Sequence, residues 1–106
     1  MEPLDRPALR ELCANDDALV REVLEVFTRE LSPLLRDVRD AVAASDAEAI
    51  RRSAHRLKGA LTAVAARPAT ACAHALEVGG PAGAHERLEA LEHEVQMLTA
   101  ELAPRP

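Results

Sequence analysis

From Val20 to Leu102 the apolar residues recur at intervals of three and four, and no stretch shows the period-two alternation of a half-buried strand. That spacing returns once per α-helical turn, so each apolar run describes one buried stripe on a helix. The expected class is all-α. At 106 residues the chain is long enough for one compact core and too short for two, so residues 1–106 are read as a single domain.

The helices can be placed in order. Residues 7–14 begin with Pro7 at a tolerated first-turn position and carry Leu9, Leu12 and Cys13 at helical spacing, predicting a short leading helix. Asn15, Asp16 and Asp17 offer N-cap oxygens to a long helix running to about Ala44, with a stripe of Val20, Val23, Leu24, Phe27, Leu31, Leu34, Leu35, Val38 and Val42. Pro33 interrupts that helix but not its stripe, which predicts a kink and not a break. Ser45-Asp46-Ala47-Glu48 has the spacing of a capping box and opens a third helix whose seam is Ile50, Ala54, Leu57, Leu61 and Val64. Pro68 disfavours helix at the residue before it, so this helix should stop near Ala66. A short helix over 68–78, with Ala69, Cys72 and Leu76 inward, ends at the Gly-Pro-rich turn 79–83,. The last helix spans Ala84 to Leu102 on the seam Leu88, Leu91, Val95, Leu98 and Leu102. Four principal helices with short connections predict an antiparallel up-down four-helix bundle with a short additional N-terminal helix.

Composition removes several functions. The net charge is −5 and Phe27 is the single aromatic residue, so the chain has neither a basic footprint for phosphate backbones nor a platform for stacking bases. No run approaches the roughly 18 apolar residues of a membrane span, and the first residues lack the basic and apolar regions of a signal peptide; a cytoplasmic location is expected. Cys13 and Cys72 stand far apart outside any metal-ligand pattern and read as buried free thiols. His74, His85 and His93 form no ligand spacing either, so no bound metal or cofactor is expected.

The remaining histidine is different. At about 100° per residue the third helix's apolar seam falls within about 40° of one direction, and His55 points about 140° away from it. Arg51, Lys58, Gly59, Thr62 and Ala66 lie within about 60° of His55 on the same wheel, so its neighbours on this helix are cationic, absent or small. An exposed imidazole of this kind suits nucleophilic acceptance of a group from a bulky partner better than proton shuttling in a closed pocket. Lys58 can reach the oxygens of a phosphoryl group on His55, and Arg51 can do so less directly. Gly59 costs on the order of 1 kcal/mol in mid-helix relative to alanine, and access to His55 supplies a reason for it.

The run Ala54-His55-Arg56-Leu57-Lys58-Gly59 resembles the phosphoacceptor motif of histidine-containing phosphotransfer domains, an H-x-L-K-G core in a four-helix bundle, and the resemblance covers nearly the whole chain. It implies that His55 is the phosphorylated residue, that Lys58 helps hold the phosphoryl oxygens and that Gly59 makes room for the partner. Ala60 and Ala65 depart from the serine and glycine that members commonly carry there. The implied partners are the receiver domain of a hybrid histidine kinase, which supplies the aspartate and the Mg²⁺, and a response regulator. The chain would act as a monomeric phosphoryl carrier and not as an enzyme, alone or as the cytoplasmic part of a membrane-bound sensor kinase. Reflection about the turn near Ser45 brings Glu30, Pro33, Leu34 and Asp37 alongside the motif, so Pro33 and Leu34 join Arg51, Thr62 and Ala66 as candidates for the docking rim. Three alternatives compete: a helical module that binds a receiver or regulator without phosphate transfer, the phosphoacceptor domain of a chemotaxis-type kinase, and a metal-dependent enzyme, which the histidine spacing disfavours.

Overall fold

The computed structural model describes residues 1–103. Among them are five helices and no strand: α1 (Arg6–Leu12), α2 (Asp17–Ala43), α3 (Ala47–Ala63), α4 (Arg67–Gly79) and α5 (Ala84–Leu102). Helices α2 to α5 follow one another around a bundle in which α3 packs most extensively on α4, then on α2, while α4 packs on α5. The seam between α2 and α5 is much thinner. Ile50, Ala54, Leu57, Leu61 and Val64 are all buried, as are Leu88, Leu91, Val95 and Leu98, as the apolar periodicity predicts, whereas Leu102, the last residue of the expected α5 seam, is only partly covered. On α2 only Phe27, Leu35, Val38, Ala41 and Val42 are buried. Val20, Val23, Leu24 and Leu31 stay partly covered, in keeping with the thin seam between α2 and α5.

Three helix ends share one device. After α1, α2 and α3 the chain turns left-handed at Ala14, Ser45 and Ala65, with φ of 54°, 51° and 60°, and after α1 Asn15 is left-handed as well at 58°. The amide one residue later bonds back five positions, Asn15 to Arg10, Asp46 to Ala41 and Ala66 to Leu61, at 2.7, 3.3 and 3.0 Å. This is the Schellman closure, which glycine usually occupies because a Cβ is strained there. It ends α3 at Ala63 and not near Ala66. It also displaces the expected capping box: Ser45 is the left-handed closing residue, and the N-cap of α3 is Asp46, whose carboxylate accepts from the Ala49 amide at 3.1 Å. Glu48 turns to Arg51, with Nη2 and Oε1 2.5 Å apart, instead of reaching back.

Pro33 leaves α2 a single helix. Its ring sits on the exposed face, where the Arg29 carbonyl it leaves without a helical donor can be hydrated. α1 lies across the end of the bundle where α3 turns into α4: the Asp5 amide donates to the Ala65 carbonyl at 3.0 Å, Arg67 pairs with Asp5 at 2.9 Å, and Arg6 pairs with Glu101 at 2.9 Å. Cys13 is buried as expected, whereas Cys72 is only partly covered, and Ala73 takes the inward position of α4 instead.

Relieving an exposed left-handed residue such as Ser45 should stabilise the fold. Ser45→Gly removes a cost of about 1–2 kcal/mol and adds about 0.4–1 kcal/mol of unfolded-state entropy. The expected net gain is about 0.5–1 kcal/mol in urea denaturation; a loss of stability would show that the serine hydroxyl serves the turn.

Candidate functional site

Position 55 lies mid-way along α3, eight residues from each end of the helix, where fraying is least. The His55 side chain is 64% exposed. Across the seam from α4 comes Glu77, whose side chain is only 14% exposed. His55 Nδ1 and Glu77 Oε2 are 2.8 Å apart. On the other carboxylate oxygen, Lys58 Nζ lies 2.5 Å from Oε1, an ion pair whose alignment falls short of a hydrogen bond, since Oε1 is buried without a hydrogen-bond partner. His74 Nδ1 stands 3.8 Å from the same oxygen.

This arrangement decides the tautomer. The Glu77 carboxyl is held down at about 2, first by Lys58 and then by His55, so at neutral pH it is ionised and can only accept. Nδ1 of His55 must then carry the hydrogen and donate it. In a neutral imidazole that leaves the lone pair on Nε2, the nitrogen of the exposed ring that Glu77 does not engage. The exposed ring thus has its orientation fixed from behind by an anion.

The structure brings some of the expected residues together and not others. His55, Lys58 and Gly59 sit within one turn of α3, and a Cβ built on Gly59 would meet nothing within 4 Å, so the glycine leaves an open approach beside the ring. Thr62 is exposed, but its hydroxyl donates to the Lys58 carbonyl at 2.8 Å. Arg51 is exposed and occupied by Glu48. Ala66 is a correction: it is fully buried and caps α4, because α3 ends at Ala63 and the helical wheel does not extend to it; it cannot belong to a docking rim. On α2, Pro33 is exposed and Leu34 partly buried. The antiparallel register expected for this hairpin is present, with Asp37 Oδ2 4.0 Å from Arg56 Nη1. Lys58 does not stand free to meet a phosphoryl group; it is shared with Glu77.

Glu77 is the residue that the single-helix reading missed. Its sequence signal lay in the second hairpin: reflection about the turn before Pro68 sets residue 77 opposite 55. On α4, Glu77 also continues the column of Ala69 and Ala73, a lone carboxylate on an otherwise small apolar face,. Among the described residues no cluster of three or more His, Cys, Asp or Glu side chains suits a metal ion, and no helix is long and apolar enough to cross a membrane. A family model described as Hpt domain matches residues 22–101. No curated protein and no solved structure matches the chain.

The lowered Glu77 carboxyl predicts an acid-dependent contribution to stability. A carboxyl that holds its proton less readily in the folded chain than in the unfolded one stabilises the fold above the ordinary value of 4.5, and that contribution is lost as pH falls from there towards about 2,. Thermal melts followed by circular dichroism across this window should therefore lose Tm more steeply in the wild type than in Glu77→Gln. Parallel curves would contradict the pairing.

Proposed function

The chain belongs to the Hpt domain family, whose members carry phosphoryl groups in phosphorelays without catalysing a reaction of their own, and we propose that His55 is the phosphoryl acceptor of this one. The observation that carries the reading is the Glu77 contact to Nδ1. It leaves Nε2, on a largely exposed ring, as the nucleophile.

In this reading the Nε2 lone pair attacks the phosphorus of an aspartyl phosphate on a receiver domain. The N–P bond forms, the P–O bond to the aspartate breaks, and the aspartate leaves as a carboxylate. No proton need leave the histidine. With Nδ1–H retained and Nε2 phosphorylated, the ring becomes cationic, and Glu77 lies where that charge develops; such a preplaced counter-charge favours the transition state over the ground state. As the phosphoryl oxygens arrive, Lys58, close by on the same face of α3, can turn part of its charge from Glu77 towards them. The aspartate and the Mg²⁺ of the reaction belong to the receiver, and this chain contributes the nucleophile, its orientation and the open approach at Gly59. Onward transfer to a response regulator is the same step run in reverse. The site operates in the cytoplasm, where receiver partners reside.

The test is radiolabelled transfer from a panel of phosphorylated receiver domains. Wild type should take up acid-labile label and His55→Gln none, with the helical spectrum unchanged; label on the glutamine variant would remove His55 from the reaction. Gly59 separates access from folding. Gly59→Ala should raise stability by about 1 kcal/mol, since its methyl enters open space, yet slow transfer, and Gly59→Glu should block it. Unchanged rates in both would leave the glycine without a docking role.

A further inference from the structure

Helix α4 ends unlike the three helices before it. Its C-cap is Gly80, at φ 71° and ψ −176°, and the next residue is Pro81, which has no N–H. The five-back amide bond that closes α1, α2 and α3 therefore has no donor here, and among the described residues none follows α4. No basic residue stands in its last turn. The closing donor comes instead from α5. Arg87 Nη2 donates to the carbonyls of Gly79, Gly80 and Ala82 at 2.8, 3.0 and 2.5 Å. One guanidinium thus replaces the missing amide and sets a positive charge at the negative end of the helix dipole.

The turn is shaped around that guanidinium. Gly79 is helical and not left-handed, so its backbone does not require glycine, the poorer helix former. A Cβ at this position would overlap the Arg87 side chain, with Nε and Nη2 each 2.5 Å away; the glycine is there for the space. Arg87 Nε is buried without a hydrogen-bond partner, and Arg87 joins none of the ion pairs among the described residues. Its donors are committed to the end of α4.

Glu77 lies in that same last turn, two residues before Gly79. Pro81 leaves the Glu77 carbonyl without its helical donor, and the Glu77 carboxylate is an anion near the negative end of the α4 dipole, where anions are disfavoured. From α3 the carboxylate is held by Lys58 and His55. Its backbone belongs to a helix end that frays unless it is closed, and Arg87 closes it. A displacement of about 1 Å at Glu77 would break the 2.8 Å contact to Nδ1, since hydrogen bonds do not extend to about 3.6 Å.

We propose that Arg87 is a positioning residue of this site: by closing α4 from α5 it keeps Glu77 where it accepts the Nδ1 hydrogen of His55, and so sets which ring nitrogen is free. Arg87 acts through the backbone of residues 79–82 and bonds to neither the ring nor the carboxylate. The proposal rests on the reading of His55 as phosphoryl acceptor for its consequence in transfer. The link from Arg87 through Glu77 to the imidazole exists before any phosphate arrives.

The test reads the His55 tautomer by long-range ¹H–¹⁵N correlation at mildly alkaline pH, where the ring is neutral, beside urea denaturation of the same samples. Arg87→Met keeps an aliphatic stem and removes the guanidinium. It should lower the ratio of Nδ1–H to Nε2–H by about tenfold, the worth of one hydrogen bond to a charged group, and Arg87→Lys, which keeps a cation at the helix end, should recover part of it. Val95→Ala, at a buried position two turns further along α5, should lower stability and leave the ratio unchanged, which tells general loosening of the bundle from loss of this closure. Gly79→Ala separates position from stability: its methyl evicts the guanidinium yet favours helix, so the ratio should fall with little change in the urea midpoint. Combined with Arg87→Met it should lower the ratio no further, because both changes empty the same seat. An unchanged ratio in Arg87→Met, a ratio that falls in Val95→Ala as well, or additive effects in the double variant would overturn the proposal. No phosphate enters the measurement, so it succeeds or fails independently of whether His55 accepts a phosphoryl group.

Discussion

The carboxylate of Glu77 is the point on which the chemistry of this bundle turns. It sits in the α3–α4 seam, mostly withdrawn from water, with an ammonium on one oxygen and an imidazole N–H on the other. A carboxylate so placed is stable only while both partners hold, since a buried charge left alone is costly. That requirement ties the orientation of His55 to the register of α3 against α4. The register in turn depends on the closure at Ala65 and on the small residues Ala69 and Ala73, which bring the two helices close.

Access imposes the opposite demand. In the proposed reading His55 must meet another protein and needs an uncluttered approach, which would be obtained by giving up stability locally. Gly59 leaves helix propensity unused where a methyl would fit, and the first half of α2 keeps aliphatic side chains partly in water. The rest of the core compensates with fully buried seams on α3 and α5. Function and stability are therefore divided along the length of the bundle: well covered around Val38, Val42, Ile50 and Leu57, half open from Leu19 to Glu30.

How much of this was legible in the sequence follows from the range of each signal. The seams on α3 and α5 were readable because 3.6-residue periodicity is local and strong, and the outward direction of His55 followed from the same phase. Helix ends were less so: the closures at Ala14, Ser45 and Ala65 use residues with little preference for the left-handed conformation, so no glycine marked them. That is why α3 was extended to Ala66 and a capping box was read at Ser45. Glu77 was invisible to a reading of one helix at a time, because its role arises only when two helices fold back on each other. Lys58 was placed correctly, but its engagement was not, since the carboxylate that holds it comes from the other helix.

The central claim is that Glu77 fixes the His55 ring so that Nε2 is the nitrogen that bonds phosphorus. The most direct measurement is the imidazole ¹⁵N spectrum of the protein before and after phosphorylation, with ³¹P coupling to assign the bonded nitrogen. The account predicts hydrogen on Nδ1 before transfer, and phosphorus coupled to Nε2 with Nδ1–H retained afterwards. Phosphorus on Nδ1, or an Nδ1 without hydrogen in the unphosphorylated protein, would contradict it.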